Sequence, residues 1–158
     1  MMVQEAGKNK NTEKAYTIRR MRPEDAGKVA ELEAANFSQP WKEADFQKAA
    51  GEADVLYLLA ESDGAVIGCC GVRNLAGEGE ITNVSVDASC RRCHIAEKLL
   101  KELLAEGSRM GIGAFTLEVR SGNRAAVCLY EKLGFVTEGV RPGFYTAPRE
   151  DALIMWRR

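Results

Sequence analysis

The chain has 158 residues, 46% of them hydrophobic, and its 22 basic and 23 acidic residues give a formal net charge of -1. This size suits one domain with a packed core, and the charge balance argues against nucleic acid or an anionic membrane as a partner. No apolar run is long enough to span a bilayer or to serve as a secretion signal. We predict a cytoplasmic monomer or weak dimer, with a disordered tail over residues 1–14 and a single domain over residues 15–158.

The start of the domain predicts a strand followed by a helix. Residues 16–20 have strand character, and Pro23 with the two acidic residues after it opens a helix. The helical period places Val29, Leu32 and Ala35 on the inner face of this helix.

A second helix and a set of antiparallel strands come next. Residues 37–40 interrupt the first helix, and another helix is predicted over residues 41–50. Apolar runs at 54–61 and 65–72 flank a tight Ser-Asp-Gly turn and predict a hairpin. A further turn at 76–79 leads into the next strand, so three consecutive strands are expected to pair antiparallel.

The strand at residues 80–86 has an irregular apolar pattern. Ile81 is apolar at an odd position, whereas Val84 and Val86 are apolar at even ones, so the alternation slips near Asn83. A slip of this kind predicts a β-bulge, which would leave one backbone N–H without a partner in the ladder.

A strongly amphipathic helix follows that strand after a short basic turn. Arg91 and Arg92 lie at its entrance, where the unpaired N–H groups of a helix N-terminus also favour an anion such as a phosphate. Its two buried rows are Ile95, Leu99 and Leu103, and Ala96, Leu100 and Leu104.

The rest of the chain predicts a strand, a helix and two closing strands, which completes an α/β fold. The alternation at 114–119 predicts a strand parallel to its predecessor, because a helix connects the two. Asn123 is expected to cap a helix that ends at Gly134. The last strands are predicted at 135–140 and 152–156, joined through Pro142-Gly143-Phe144-Tyr145.

Several of these stretches resemble the GNAT superfamily of N-acetyltransferases. In that family an apolar strand end leads to Arg/Gln-x-x-Gly-x-Gly/Ala, and here Val84-Ser85-Val86 leads to Arg91-Arg92-Cys93-His94-Ile95-Ala96. Residues 117–135, 37–46 and 145–156 are similar to the ribosomal-protein-alanine acetyltransferases, the RimI branch. The resemblance implies the GNAT fold, a mixed, mostly antiparallel sheet of six to seven strands flanked by four helices.

One position departs from the family pattern. His94 stands where the family has the first glycine of its pyrophosphate loop, a residue favoured because backbone must approach phosphate closely. The histidine either obstructs that approach or turns its side chain outward, and it could also donate a hydrogen bond to phosphate. The sequence leaves the sign of its effect on cofactor affinity open.

The resemblance implies acetyl transfer from acetyl-coenzyme A to an amine. Glu118 matches the general base, and burial in the middle of its strand would make the carboxylate more basic. The alternative is an ordinary carboxylate paired with Arg120 or Arg124. Tyr130 matches the acid that reprotonates the leaving thiolate, and its alternative is a packing role in the core.

The remaining site residues are implied in the same way. Asn123 is fully explained as a helix cap, although the matching asparagine of the family also contacts the cofactor. The peptide substrate would lie between Trp41 and the pair Phe144-Tyr145, aromatic residues that could equally be packing residues. Main chain near the bulge would bind the pantetheine arm as an added strand does. The residues implied in acetyl-coenzyme A binding are Val84, Ser85, Val86, Arg91, Arg92, Cys93, His94, Ile95, Ala96 and Asn123.

The five cysteines suggest sites of other classes. Cys90-x-x-Cys93-His94 is the attachment pattern of c-type haem, but such attachment belongs to exported chains and no export signal is present. A zinc site would lack ligands, because Cys69 and Cys70 point to opposite faces of a strand. We expect reduced thiols, no metal and no haem, with Cys90 and Cys93 open to oxidation beside the arginines.

We therefore predict a peptide α-N-acetyltransferase that works by direct transfer in a ternary complex. The resemblance implies as its substrate the N-terminal alanine of the eighteenth small-subunit ribosomal protein. The alternatives are another protein N-terminus, a small-molecule amine, or a module that binds acetyl-coenzyme A without turnover because His94 spoils the phosphate loop.

Overall fold

The computed structural model of the chain describes residues 15–91 and 93–158, so the predicted tail and Arg92 lie outside the described residues. Two short 3-10 turns, Pro23–Asp25 and Ala88–Cys90, accompany the longer elements. These are β1 (Thr17–Arg20), α1 (Ala26–Asn36), α2 (Glu43–Ala50), β2 (Val55–Ser62), β3 (Ala65–Leu75), β4 (Glu78–Val86), α3 (Ile95–Arg109), β5 (Ala114–Arg120), α4 (Arg124–Lys132), β6 (Val136–Thr146) and β7 (Arg149–Arg157).

The strands form one seven-stranded sheet in the order β1-β2-β3-β4-β5-β7-β6. The pairing of β4 with β5 is parallel, because α3 carries the chain back between them, and the other neighbours are antiparallel. The predicted mixed, mostly antiparallel sheet with four helices is confirmed. None of the helices in the described residues has the length and apolar content to cross a membrane.

Helices cover both faces of the sheet. One apolar cluster joins α3 and α4 to the sheet, and a second joins α1 and α2 to the opposite face through Tyr57, Leu59 and Cys69. Along β5, Phe115 and Val119 are buried in the first cluster. Because side chains alternate along a strand, Glu118 lies on the face that carries α1 and α2.

The predicted irregularity of β4 is a bulge. Gly71 pairs with Asn83 but the next residue, Val72, pairs with Ile81, so Thr82 has no counterpart on β3. The extra residue puts Val84 on the same face as Ile81, in contact with the cluster under α3 and α4. Asn83 is buried on the opposite face of the sheet from Ile81 and Val84.

The two parallel strands separate soon after they meet. β4 and β5 pair from Glu78 with Ala114 to Glu80 with Thr116, whereas β4 runs on to Val86 and β5 to Arg120. The bulge at Thr82 therefore lies where the strands part. Such a parting leaves backbone groups on two facing strand edges available to a ligand.

Two sequence predictions were wrong. Residues 142–145 do not link two strands but belong to β6, because an edge strand tolerates Pro142 and a bulge between Arg141 and Tyr145 absorbs two extra residues. In α1, Ala35 is exposed and Glu33 is buried in its place.

Candidate active site

A cavity of about 200 Å³ opens at the N-terminus of α3, beside the end of β4. Of the residues predicted to bind the acyl carrier, Val84, Ser85, Cys93 and Asn123 lie outside its lining. Asn123 caps α4 as predicted, since its Oδ1 accepts a hydrogen bond of 3.2 Å from the Ala126 amide. The lining consists of Val86, Cys90, Arg91, His94, Ile95, Ala96, Glu97 and Leu129.

His94 has a left-handed backbone conformation, which glycine adopts without strain. Its φ of 61° and ψ of 22° are left-handed, directly before the first turn of α3. Histidine tolerates this region better than most side chains do. Its side chain is 72% exposed and its Nδ1 lies 3.6 Å from Glu97 Oε1, so it is turned outward and leaves the cavity open.

Replacing His94 with glycine is expected to stabilise the protein without weakening acetyl-coenzyme A binding. Relief of the left-handed conformation, about 1–2 kcal/mol, exceeds the entropic cost of glycine, about 0.5–1 kcal/mol. Thermal unfolding and calorimetric titration measure both effects. Ala76→Gly is the control, because Ala76 has a φ of 54° far along the chain from the cavity. Weaker binding in H94G alone would assign the imidazole a direct role in holding the ligand.

The charges around the cavity favour an anion. Arg91 is held over the end of β4, where its guanidinium donates to Asn36 Oδ1 at 2.7 Å and to the Val86 carbonyl at 3.3 Å. The negative charge of Glu97 is compensated by Lys101 and Lys132, whose Nζ atoms each lie 3.1 Å from a Glu97 carboxylate oxygen. These two hydrogen bonds lower the pKa of Glu97 to about 2.

Glu118 lies on the α1 and α2 face of β5 and pairs with a residue that the sequence did not suggest. Its partner is Arg141 of β6, and the Glu118 side chain itself is 26% exposed. Arg120, one of the two partners considered from the sequence, instead contacts Glu150 at 3.3 Å and stacks over the Tyr145 ring at 4.3 Å. The carboxylate is therefore accessible, and it lies among aromatic and cationic side chains.

Tyr130 and Glu118 each interact electrostatically with Tyr145. Tyr130 is buried on α4, with its ring 5.8 Å from that of Phe135. Burial raises the pKa of Tyr130, and the charges of Cys70 and Tyr145 act in the same direction. Burial, and then the charge of Glu118, also raises the pKa of Tyr145. The predicted acid Tyr130 thus stays protonated at neutral pH.

The predicted aromatic residues lie on two segments that meet. Ser38, in the connection after α1, donates to the Ala147 carbonyl in the turn between β6 and β7, at 2.6 Å. Phe144 is 46% exposed and contacts Tyr145, with ring centroids 5.1 Å apart. Trp41 packs on Phe46 at 5.3 Å. Phe144 is therefore exposed enough to contact a ligand, and Trp41 has a packing role.

The cysteine pattern does not form an open cluster. Cys90 is 4% exposed and belongs to the core cluster under α3. Across residues 15–91 and 93–158, no three His, Cys, Asp or Glu side chains are grouped so as to hold a metal ion.

The sequence did not single out the polar residues that join α1 to β4. Asn83 donates to Glu33 at 2.9 Å, and Asn36 donates to the Val86 carbonyl at 3.0 Å. Glu33 and Asn36 continue the row of Ala26 and Val29 at helical spacing, which is a signal that could have placed them inward.

Comparison of the sequence and of the fold with known proteins identifies relatives of the chain. Residues 26–135 match the model of the Acetyltransferase (GNAT) family. The chain is 35% identical to N-alpha-acetyltransferase RimI of Mycobacterium tuberculosis, over 89% of the chain and 91% of the relative. It is 31% identical to the [ribosomal protein bS18]-alanine N-acetyltransferase of Escherichia coli, over 88% of the chain and 95% of the relative. The crystal structure of the ribosomal-protein-S18-alanine N-acetyltransferase from Escherichia coli superposes with a TM-score of 0.83 at 29% identity, covering 90% of the chain and 93% of that structure.

Proposed function

The chain belongs to the GNAT family of acetyltransferases, and we propose that it acetylates the N-terminal alanine of ribosomal protein bS18. Membership makes it an N-acetyltransferase that uses acetyl-coenzyme A. The Escherichia coli relative named for bS18 supports the choice of substrate. The observation that carries the proposal is the cavity at the start of α3, next to strands that part at a bulge.

The residues around that cavity fit an acyl carrier with a diphosphate. The first N–H groups of α3 have no acceptor within the helix, and Arg91 supplies a cation beside them. His94 leaves the cavity open because its side chain is turned outward. Val84 and Val86 would hold the pantetheine arm through main chain along the edge of β4 that parts from β5. When bound, acetyl-coenzyme A supplies the thioester whose acetyl group is transferred.

Residues of the chain then move the protons. Glu118 accepts a proton from the protonated amine, and the neutral nitrogen bonds to the acetyl carbon as the carbon–sulfur bond breaks. Tyr130 donates a proton to the departing sulfur and is restored by the proton that the new amide nitrogen releases. A backbone N–H at the bulge polarises the acetyl carbonyl. The transfer is direct, within a ternary complex, and needs no metal or haem. Tyr145 and Phe144, with Trp41 opposite, would hold the first residues of the peptide.

A panel of short peptides that differ in their first residue tests the proposal. Thiol release from acetyl-coenzyme A is followed for each peptide, and mass spectrometry locates the acetyl group. We expect the fastest transfer to the α-amino group of the peptide with the bS18 N-terminus. Preferred transfer to lysine side chains, or equal rates for all first residues, would contradict the substrate assignment. Preference for another terminus or for a small amine would select that alternative.

Calorimetric titration with acetyl-coenzyme A separates an enzyme from a binding module. The outward position of His94 favours saturable binding. Binding without transfer to any amine would support the module, and no binding would contradict the proposed cofactor site.

A further inference from the structure

A glutamate without a charged partner is buried between α1 and the bulge of β4. Glu33 is 4% exposed and Asn83 is 5% exposed, and Asn83 Nδ2 donates to Glu33 Oε2 at 2.9 Å. Among the described residues, no cation lies within ion-pair distance of Glu33. Burying a lone carboxylate is costly, so the charged form of Glu33 is disfavoured.

Glu33 and Asn83 each have one side-chain oxygen without a hydrogen-bond donor in the described part of the chain. Glu33 Oε1 and Asn83 Oδ1 are buried and have no hydrogen-bond partner among the described residues. An ionised carboxylate cannot serve Asn83 Oδ1, because it has no hydrogen to donate. A protonated carboxyl group can, since one O–H provides the missing donor and uses both unpartnered oxygens.

We propose that Glu33 is a neutral carboxylic acid that exchanges two hydrogen bonds with the Asn83 amide and so positions the bulge of β4. Asn83 Nδ2 donates to Oε2, and Oε1–H of Glu33 donates to Asn83 Oδ1. Independently of this geometry, burial raises the pKa of Glu33 above its ordinary value of 4.5, and the hydrogen bond from Asn83 opposes that shift only in part.

The titratable groups that face Glu33 are neutral near physiological pH. Among the described residues these groups are Tyr57 of β2 and Cys69 of β3. The pKa of each is raised by burial and, to a smaller extent, by electrostatic interaction with Glu33. Burial raises the pKa of the Cys69 thiol to about 12 and the pKa of the Tyr57 phenol well above 10.0. Glu33 is therefore the group in this contact region that changes charge as pH rises.

The pair holds one end of a segment that α1 contacts twice. One turn after Glu33, Asn36 donates to Ser85 Oγ and to the Val86 carbonyl, and it accepts from Arg91. The segment from Asn83 to Val86 is thus fixed to α1 at both ends. Its importance for acetyl transfer rests on the proposed function, because this is the segment assigned to the acyl carrier.

Infrared spectroscopy tests the protonation state without any substrate. Near neutral pH we expect the carbonyl band of a protonated carboxyl group in the wild type and in Glu31→Gln, a control at an exposed position of the same helix. The band should be absent in Glu33→Gln. A spectrum without this band in the wild type, or a band that survives E33Q, overturns the proposal.

The pH dependence of unfolding gives a second test. The pKa of Glu33 is higher in the folded protein than its ordinary value of 4.5. The stabilisation from protonated Glu33 is therefore complete below pH 4.5 and is lost as the pH rises through the pKa of the folded state. The melting temperature of E33Q minus that of the wild type should therefore increase as the pH rises from about 4.5. A difference that is constant with pH overturns the proposal.

The positioning role is tested by loss and rescue of activity. Glu33→Leu removes both hydrogen bonds, and we expect kcat to fall about 10-fold with acetyl-coenzyme A saturating. E33Q should restore most of that loss, because glutamine offers an acceptor and a donor in the same places. Wild-type kcat in folded E33L, or an E33Q as slow as E33L, overturns the role. If the wild type itself acetylates no peptide, the proposed function fails and so does this role, while the infrared and melting results still decide the protonation state.

Discussion

Glu118→Gln should lower kcat by about 10²–10⁴-fold near neutral pH, because the variant removes the proposed proton acceptor and keeps the shape of the side chain. The loss should shrink as pH rises. The reference pKa of a peptide α-amino group is about 7.7–8.0, so at higher pH more of the amine is already neutral. Steady-state rates with saturating acetyl-coenzyme A, measured across this range, check both expectations.

A matched control separates catalysis from a lost ion pair. Glu138 also pairs with an arginine, since Arg158 lies 2.9 Å away, but its strand is the exposed edge of the sheet. Glu138→Gln should leave kcat unchanged. Both variants should melt within a few degrees of the wild type, because partly exposed ion pairs contribute only about 0–1 kcal/mol. Equal kcat in E118Q and the wild type would mean that Glu118 only pairs with Arg141.

The elements that position the site could be predicted where the sequence pattern is local. The slip between Ile81 and Val84 marked the bulge, because one extra residue in a strand reverses the alternation after it relative to the alternation before it. Asn123 marked the start of α4 through a contact only three residues long. In each case the deciding interaction lies within one turn or one ladder step.

Features that depend on distant partners could not be predicted. Glu118 pairs with Arg141 across β7, and the sequence does not reveal that β6 lies on the far side of that strand. Pro142 indicates the end of a strand, yet β6 continues because its outer edge needs no partner. Glu33 has the composition of an exposed helix residue, and only Asn83, fifty positions later, makes its burial tolerable.

His94, where the sequence departs from the motif, has a left-handed backbone conformation. The requirement at that position is a left-handed residue before α3, and histidine meets it with φ of 61°. From the sequence alone, close approach of backbone to phosphate and a positive φ cannot be told apart, because glycine satisfies both. The structure of this chain shows the positive φ directly, and it shows that His94 lines the cavity with a side chain that is mostly exposed to solvent.

Tyr130→Phe should lower kcat by about 10²-fold or more while acetyl-coenzyme A binding and the melting temperature stay close to wild type. The ring keeps its contact with Phe135, and no described hydrogen bond is lost with the hydroxyl. Tyr16→Phe is the control, because the Tyr16 hydroxyl is buried without a described partner and the Tyr16 ring packs against the core cluster that contains Tyr130. Y16F should keep full activity.

The pH dependence of Y130F tells which group protonates the thiolate. Burial raises the pKa of Tyr130, so its phenol remains a donor through the whole range in which the enzyme is stable, and its removal should cost a similar factor at every pH in that range. A deficit that grows with pH would indicate a donor with a lower pKa acting in its place. Undiminished kcat in Y130F would exclude Tyr130 and leave Tyr145, which interacts electrostatically with both Tyr130 and Glu118, as the residue to replace next.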